Sequence, residues 1–267
     1  MAFKSGKILR MNKFIDPEDN RSLILKLDHG MMVGPIPSIP KLEQVIRDLK
    51  NYVDGIVISP GQVNKLIEHF KGKGSPALLV RADWTNLFRN EHFPFKPQKI
   101  EVVTVATAFD ALTLGAYAIV SFFFVGYDDD EDEALNMNTI ASLAREGEKL
   151  GIPLLVEAMP IGSRVTSTNY VECADLAMRM AIEAGADAVA VPYTGSIESF
   201  KQIVGAAKVP IFTLDFGNTK KDAIEIAYDA IEAGAVGMVI SFKTLQKPNL
   251  ITVLAKLRDI IHDKNRV

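Results

Sequence analysis

The chain has 267 residues, 48% of them apolar and 24% charged, with a formal net charge of −3. That length suits one (β/α)8 barrel or two small domains, and that composition is the balance of a globular chain, for which disorder is not the default. Basic residues are scattered, so nothing calls for a nucleic-acid partner, and no run of about 18 apolar residues calls for a membrane.

The start, MAFKSGKILRMNKF, is basic but lacks the apolar stretch and cleavage site of a signal peptide, which sets the expectation of a cytoplasmic protein. Residues 1–20 read as an N-terminal extension to a single barrel domain. After them, short β-branched or apolar runs alternate with helical patterns, the signature of βα units around a parallel sheet. Strands are expected at 23–28, 55–59, 77–82, 118–124, 153–158, 188–191, 210–215 and 237–241. The segment DWTNLFRNEHFPFKPQKIE, residues 83–101, is too long for a minimal connection and reads as a lid or an oligomer contact. The run YDDDEDE, residues 127–133, reads as the solvated start of a helix, since neighbouring carboxylates there suit the helix dipole and lack metal-ligand spacing. Cys173, the only cysteine, lies in a helical pattern and reads as a buried, inert thiol.

Three segments, ALTLGAYAIVS, AIEAGADAVAV and AIEAGAVGMVI, share one pattern: helix end, Gly-Ala, strand. Glycine closes each helix in a left-handed cap, and the copies precede the fourth, sixth and eighth expected strands. A spacing of two units per copy is what a barrel gives. The fold expected is α/β, a (β/α)8 TIM barrel.

In such a barrel the site lies at the carboxyl ends of the strands. The residues that close the strands there are Lys26, Asp28 and His29, then Ser59, Arg81 with Asp83, Ser121, Glu157, Pro192 with Tyr193, Asp215, Ser241 and Lys243. Side chains alternate along a strand, so Lys26 and Asp28 share a face, as do Arg81 and Asp83. A buried lysine is either an amine nucleophile or half of an ion pair, here with Asp28 or Glu157. The loops DFGNTKKD and SFKTLQKPN follow the seventh and eighth strands, where barrels commonly hold phosphate. Gly217 permits close backbone approach, Asn218 or Thr219 caps the next helix, and Lys220, Lys221, Lys243 and Lys247 supply charge. The blander reading is a capped helix with exposed lysines. His69, His92 and His262 read as surface residues. No metal-ligand spacing, dinucleotide fingerprint, Walker loop or nucleophile elbow occurs, so neither metal nor cofactor is expected.

The order of these pieces resembles the archaeal-type class I fructose-bisphosphate aldolase family, with its aminodideoxyheptulosonate synthase and autoinducer-thiolase relatives. The likeness rests on the DHG triplet Asp28–Gly30 with Gly34 and Pro35, on GIPLLVEAMP, on GADAVAVPYTG and on GAVGMVISFKTLQ. It implies a class I aldolase-like lyase acting on a phosphorylated small molecule through a lysine Schiff base, and a homo-oligomer, with a decameric ring among the forms suggested. The resemblance also marks departures. The family lysine, in a pattern like ADIVKTNYTG, corresponds to Ala190; the tyrosine of MYPRG is replaced within Met159, Pro160 and Ile161; and the GRN phosphate loop reads Ser241, Phe242, Lys243. An imine needs an amine, so the same mechanism requires another lysine.

Three readings follow. In the first, Lys26 is a relocated Schiff-base lysine, with Asp28 and Glu157 handling protons and Lys243 as second candidate. Here His29, Arg81, Tyr193, Asp215, Gly217, Asn218 and Ser241 bind substrate and its phosphate. In the second, the same residues isomerise or epimerise a substrate by non-covalent proton transfer. In the third, the chain is a silent ligand-binding or assembly member.

Overall fold

A computed structural model describes residues 2–36, 39, 41–89, 93–95 and 97–263. His92, read as a surface residue, lies outside the described residues. Each expected strand is present: β1 Ser22–Lys26, β2 Gly55–Ile58, β3 Ala77–Arg81, β6 Ala118–Val125, β7 Leu154–Pro160, β8 Ala188–Tyr193, β9 Ile211–Gly217 and β10 Gly237–Ile240. They close into a parallel barrel in the order β1-β10-β9-β8-β7-β6-β3-β2. Two further strands, β4 Asp83–Thr85 and β5 Val102–Thr104, form an antiparallel pair outside it.

Alternation along the strands sorts side chains into two cores. Ile24, Val57, Leu79, Val120, Phe122, Leu155, Ala190, Phe212, Leu214 and Val239 fill the lumen. Leu23, Leu25, Ile56, Leu78, Ile119, Phe123, Val156, Val191 and Met238 face outward, against the helices. A barrel of this size is packed inside, so polar residues on the lumen side must find partners there.

The helices that carry the repeat are α5 Ala108–Thr113, α7 Tyr170–Glu183 and α9 Ala223–Glu232. Each ends as the sequence predicts, on a left-handed glycine: Gly115 at φ 83°, Gly185 at 108° and Gly234 at 96°. The following alanine then donates its N–H back five residues, Ala116 to Ala111, Ala186 to Ala181 and Ala235 to Ala230, at 2.9 to 3.0 Å. These are three copies of one cap, each turning the chain into β6, β8 or β10.

The acidic run opens the helix α6, Asp130–Leu150, with Asp129 as its cap accepting from the Glu131 N–H. Residues 1–20 include a helix, α1 Ala2–Met11, held by pairs from Lys7 to Glu148 and Asp187, each at 2.9 Å, and by Arg10 on the Gly151 carbonyl. Cys173 is only half-buried, a correction to its expected burial; partial desolvation and nearby Glu172 and Glu133 push its thiol pKa up, away from the reactive thiolate. Among the described residues no helix is long and apolar enough to cross a membrane.

Candidate active site

Lys26 closes β1 and Glu157 lies on β7, the strand diametrically opposite in the barrel order. The lysine spans the lumen, and its Nζ donates to Glu157 Oε2 at 2.5 Å. Glu157 is in register with Phe122 on one side and Ala190 on the other. The ammonium has the Phe122 ring 5.5 Å away and the Phe88 ring 6.0 Å away.

Arg81, on β3, is fully buried and organises the rest of the floor. Its Nε donates to Asp28 Oδ2 at 2.6 Å, its Nη2 donates to Glu157 Oε1, and its Nη1 stands 3.6 Å from Asp83 Oδ1. Burial works against each charge here. For Asp28, the Arg81 and Lys26 charges outweigh that penalty and hold the carboxyl below its ordinary range. For Arg81, Glu157, Asp28 and Asp83 outweigh it and raise the guanidinium above its ordinary value. Asp83 goes the other way: burial dominates and pushes it up to about 6.

Above this floor lies a cavity of about 90 Å³ lined by Lys26, Asp28, His29, Met32, Val33, Phe88, Phe216, Ser241, Phe242 and Lys243. This is well below the roughly 300–1,000 Å³ that encloses drug-sized ligands, so it suits a compound of a few carbons. His29 is buried, its pKa is lowered by that burial against the pull of Asp28, and its Nδ1 has no hydrogen-bond partner among the described residues. It presents a neutral imidazole at neutral pH. Ser241 caps the short helix α10, Phe242–Leu245, accepting from the Lys243 N–H, and the exposed Lys243 ammonium lies 5.3 Å from the Phe216 ring.

Of the sequence-predicted residues, Lys26, Asp28, His29, Ser241 and Lys243 meet at this cavity, with Glu157 directly beneath. Five others lie away from its lining. Arg81 is committed to carboxylates and does not line the cavity. Tyr193 belongs to the outer core; it packs on Phe200 and donates to Asp229 Oδ2 at 2.5 Å. Asp215 faces outward, where it accepts from Thr244 Oγ1 at 2.5 Å. Gly217 is needed for a close approach to protein backbone, not ligand: an added Cβ would collide with the Tyr193 carbonyl. Asn218 donates its N–H to that same carbonyl at 3.0 Å, and the helix cap expected of Asn218 or Thr219 is made by Asp222 in a box with Glu225. Of the loop lysines, Lys221 is paired with Asp229, and Lys247 lies outside the cavity.

His262 is also corrected. Far from a free surface residue, it bridges Asp19 at 2.7 Å and Asp54 at 2.9 Å. Asp16, Asp19 and His262 bring ligand-type atoms within 4.8 Å of one another, but both imidazole nitrogens are engaged by carboxylates.

Sequence reasoning missed the aromatic wall: Phe88, Phe216 and Phe242. Phe216 and Phe242 flank the strand ends already in view, and Phe88 sits in the long segment read as a lid or an oligomer contact, so position alone was the available signal. Trp84 ties that segment down by donating Nε1–H to the Met31 carbonyl at 2.8 Å, which holds Phe88 over the cavity.

Comparison with known proteins agrees with this architecture. An uncharacterized aldolase of Saccharolobus solfataricus is 32% identical over 97% of this chain and 95% of its own. A 2-amino-3,7-dideoxy-D-threo-hept-6-ulosonate synthase of Halobacterium salinarum is 26% identical over 97% of this chain and 92% of its own. A solved archaeal fructose 1,6-bisphosphate aldolase shares the fold, with a TM-score of 0.81 at 24% identity over 97% of this chain and 99% of its own. The sequence profile of the DeoC/LacD family aldolases matches residues 22–247, and the chain belongs to that family.

Proposed function

We propose that the protein is a lyase that makes or breaks a carbon–carbon bond in a small phosphorylated sugar or keto compound, with Lys26 as the amine that forms the Schiff base. One observation carries this reading: Lys26 crosses the lumen to place its Nζ against Glu157, the residue registered beside Ala190. Ala190 is the position at which the resembled aldolases keep their lysine. An alanine there leaves the amine to come from the opposite wall, and Lys26 supplies it at the cavity floor.

The chemistry follows from the contacts. Lys26 first passes a proton to Glu157 Oε2 along their 2.5 Å hydrogen bond. The freed amine adds to the substrate carbonyl carbon, the oxygen takes one proton from the added nitrogen and a second back from Glu157, and its departure as water leaves an iminium on Lys26. That positive nitrogen is the electron sink for cleaving the adjacent carbon–carbon bond. Asp28, kept ionised by Arg81 and Lys26, takes the proton from the hydroxyl on the departing carbon, which becomes a carbonyl as the carbon–carbon electron pair moves to the iminium. Lys243, with the Ser241 end of the short helix, holds the phosphate at the mouth. The protein works in the cytoplasm as a homo-oligomer in this reading, with no metal or cofactor required.

The pairing with Glu157 also suits a second reading, in which the Lys26 ammonium stabilises an enolate without bonding to it. Intact-mass measurement after treatment with dihydroxyacetone phosphate and borohydride separates the two. A gain equal to the reduced adduct is expected. Deuterium exchange from solvent into the triose phosphate with no adduct would favour the second reading, and neither event would sink both.

A further inference from the structure

The five charged groups of the barrel floor do not balance: Lys26 and Arg81 face Asp28, Asp83 and Glu157, and all five are buried. Among the described residues Asp83 is the one carboxylate of the three with no hydrogen bond to either cation. Its Oδ2 accepts from the Ser121 hydroxyl and from the Phe122 N–H, both at 2.6 Å. Its Oδ1 makes no hydrogen bond among the described residues, and neither does the Arg81 Nη1 that it faces at 3.6 Å. That distance is within ion-pair contact and beyond a hydrogen bond. The other two faces of the guanidinium are taken, Nε by Asp28 and Nη2 by Glu157. Because the guanidinium is planar and rigid, Nη1 cannot close on Asp83 without loosening one of those two bonds.

We propose that Asp83 is a positioning residue: by drawing or releasing Nη1 of Arg81 it sets how tightly Arg81 grips Glu157, and so how readily Glu157 accepts the proton of Lys26. This rests on the reading of Lys26 as the reactive amine. The step under control moves one proton: an N–H bond of Lys26 breaks and an O–H bond forms on Glu157 Oε2, with no other bond changed. An ionised Asp83 pulls Arg81 away from Glu157 and favours the transfer; a neutral one leaves Arg81 fully on Glu157 and opposes it.

The groups that face Asp83 come from three strands: Arg81 from β3, Ser121 with the Phe122 N–H from β6, and Glu157 from β7; the buried Tyr127 phenol also feels its charge. Burial pushes the Asp83 carboxyl up to about 6, while Arg81, Ser121 and Phe122 pull against it, so its charge changes in the weakly acidic range. Asp83 also opens β4, whose next residue, Trp84, anchors the segment carrying Phe88.

Nuclear magnetic resonance of protein labelled with 15N-arginine tests this without any substrate. The Arg81 Nε–H signal is expected to shift with an inflection near the Asp83 value of about 6. Asp83→Asn should abolish that inflection, and Ser121→Ala, which removes a bond favouring the charged carboxyl, should move it to higher pH. The rate of borohydride-trapped adduct with dihydroxyacetone phosphate should follow the same inflection and fall about tenfold at neutral pH in Asp83→Asn. An Arg81 signal titrating identically in wild type and Asp83→Asn overturns the proposal, as does an unchanged pH profile of adduct formation in that variant. Should Asp83→Asn fail to fold, an unmoved inflection in Ser121→Ala overturns it equally. An Arg81 signal that behaves as expected, with no adduct in wild type at any pH, would keep the Asp83–Arg81 relation and remove the reading of Lys26 instead.

Discussion

Lys26 and Glu157 stand on opposite walls of the barrel and meet across its lumen in a 2.5 Å hydrogen bond. Glu157 is registered beside Ala190 on β8, so Lys26 reaches from β1 to a side chain of the far wall that neighbours that position.

Removing the amine therefore has two separable effects. Lys26→Met should abolish adduct formation and turnover. It should also destabilise the fold by about 1–3 kcal/mol, the cost of leaving one oxygen of buried Glu157 without its donor while Arg81 still holds the other. Adding Ala190→Lys to that variant should return an amine to Glu157 and restore a borohydride-trapped adduct at position 190. Urea denaturation and peptide mass spectrometry read the two effects independently.

Lys243 is exposed at the mouth and, among the described residues, has no part in the floor network, so its loss should weaken substrate capture and spare the chemistry. For Lys243→Ala, the dihydroxyacetone phosphate concentration giving half-maximal adduct should rise about tenfold at low salt, with the maximal yield unchanged and the salt dependence reduced. A fall in maximal yield would instead mark Lys243 as the reactive amine.

Much of this was legible in the sequence, and the misses have identifiable physics. Strand–helix alternation and the three Gly-Ala helix ends exposed the barrel, because local backbone chemistry fixes them. Lys26 with Asp28 and Arg81 with Asp83 were placed on shared faces by strand parity. The same parity, carried one step further, excludes Asp215: Phe212 and Leu214 face the lumen, so their neighbour faces out. Tyr193 is likewise out of phase with Ala190, and an irregularity in the β8–β9 pairing at that point sets it on Gly217. What no local pattern could give is the choice of partners across the lumen. Lys26 takes Glu157 and leaves Asp28 to Arg81, a matter of distances between strands far apart in the chain.

The repeated helix caps make a graded stability test. Among the described residues nothing lies within 4 Å of a Cβ added at Gly115, so Gly115→Ala should cost only the left-handed backbone penalty, about 1 kcal/mol. At Gly185 the new Cβ would also meet the Ala144 Cβ at 2.9 Å, so Gly185→Ala should cost more, about 2–3 kcal/mol. Equal losses in chemical denaturation would contradict the assignment.

The His262 bridge predicts a pH dependence of definite sign. Burial disfavours the imidazolium, but Asp54 and Asp19 outweigh it and raise the folded pKa above the ordinary value. The group is protonated more readily folded than unfolded, so its contribution is complete below the unfolded pKa of about 6.5 and fades as pH rises through the raised folded value. The stability gap between wild type and His262→Gln, measured by urea denaturation, should be larger at about pH 6 than at about pH 9. The opposite trend would show that the imidazole is neutral in the bridge.

The most direct test of the central claim is peptide mapping of the borohydride-reduced complex with dihydroxyacetone phosphate. The account predicts a single modified peptide with the added mass on Lys26. Modification of Lys243 or another lysine, with Lys26 recovered intact, would contradict it.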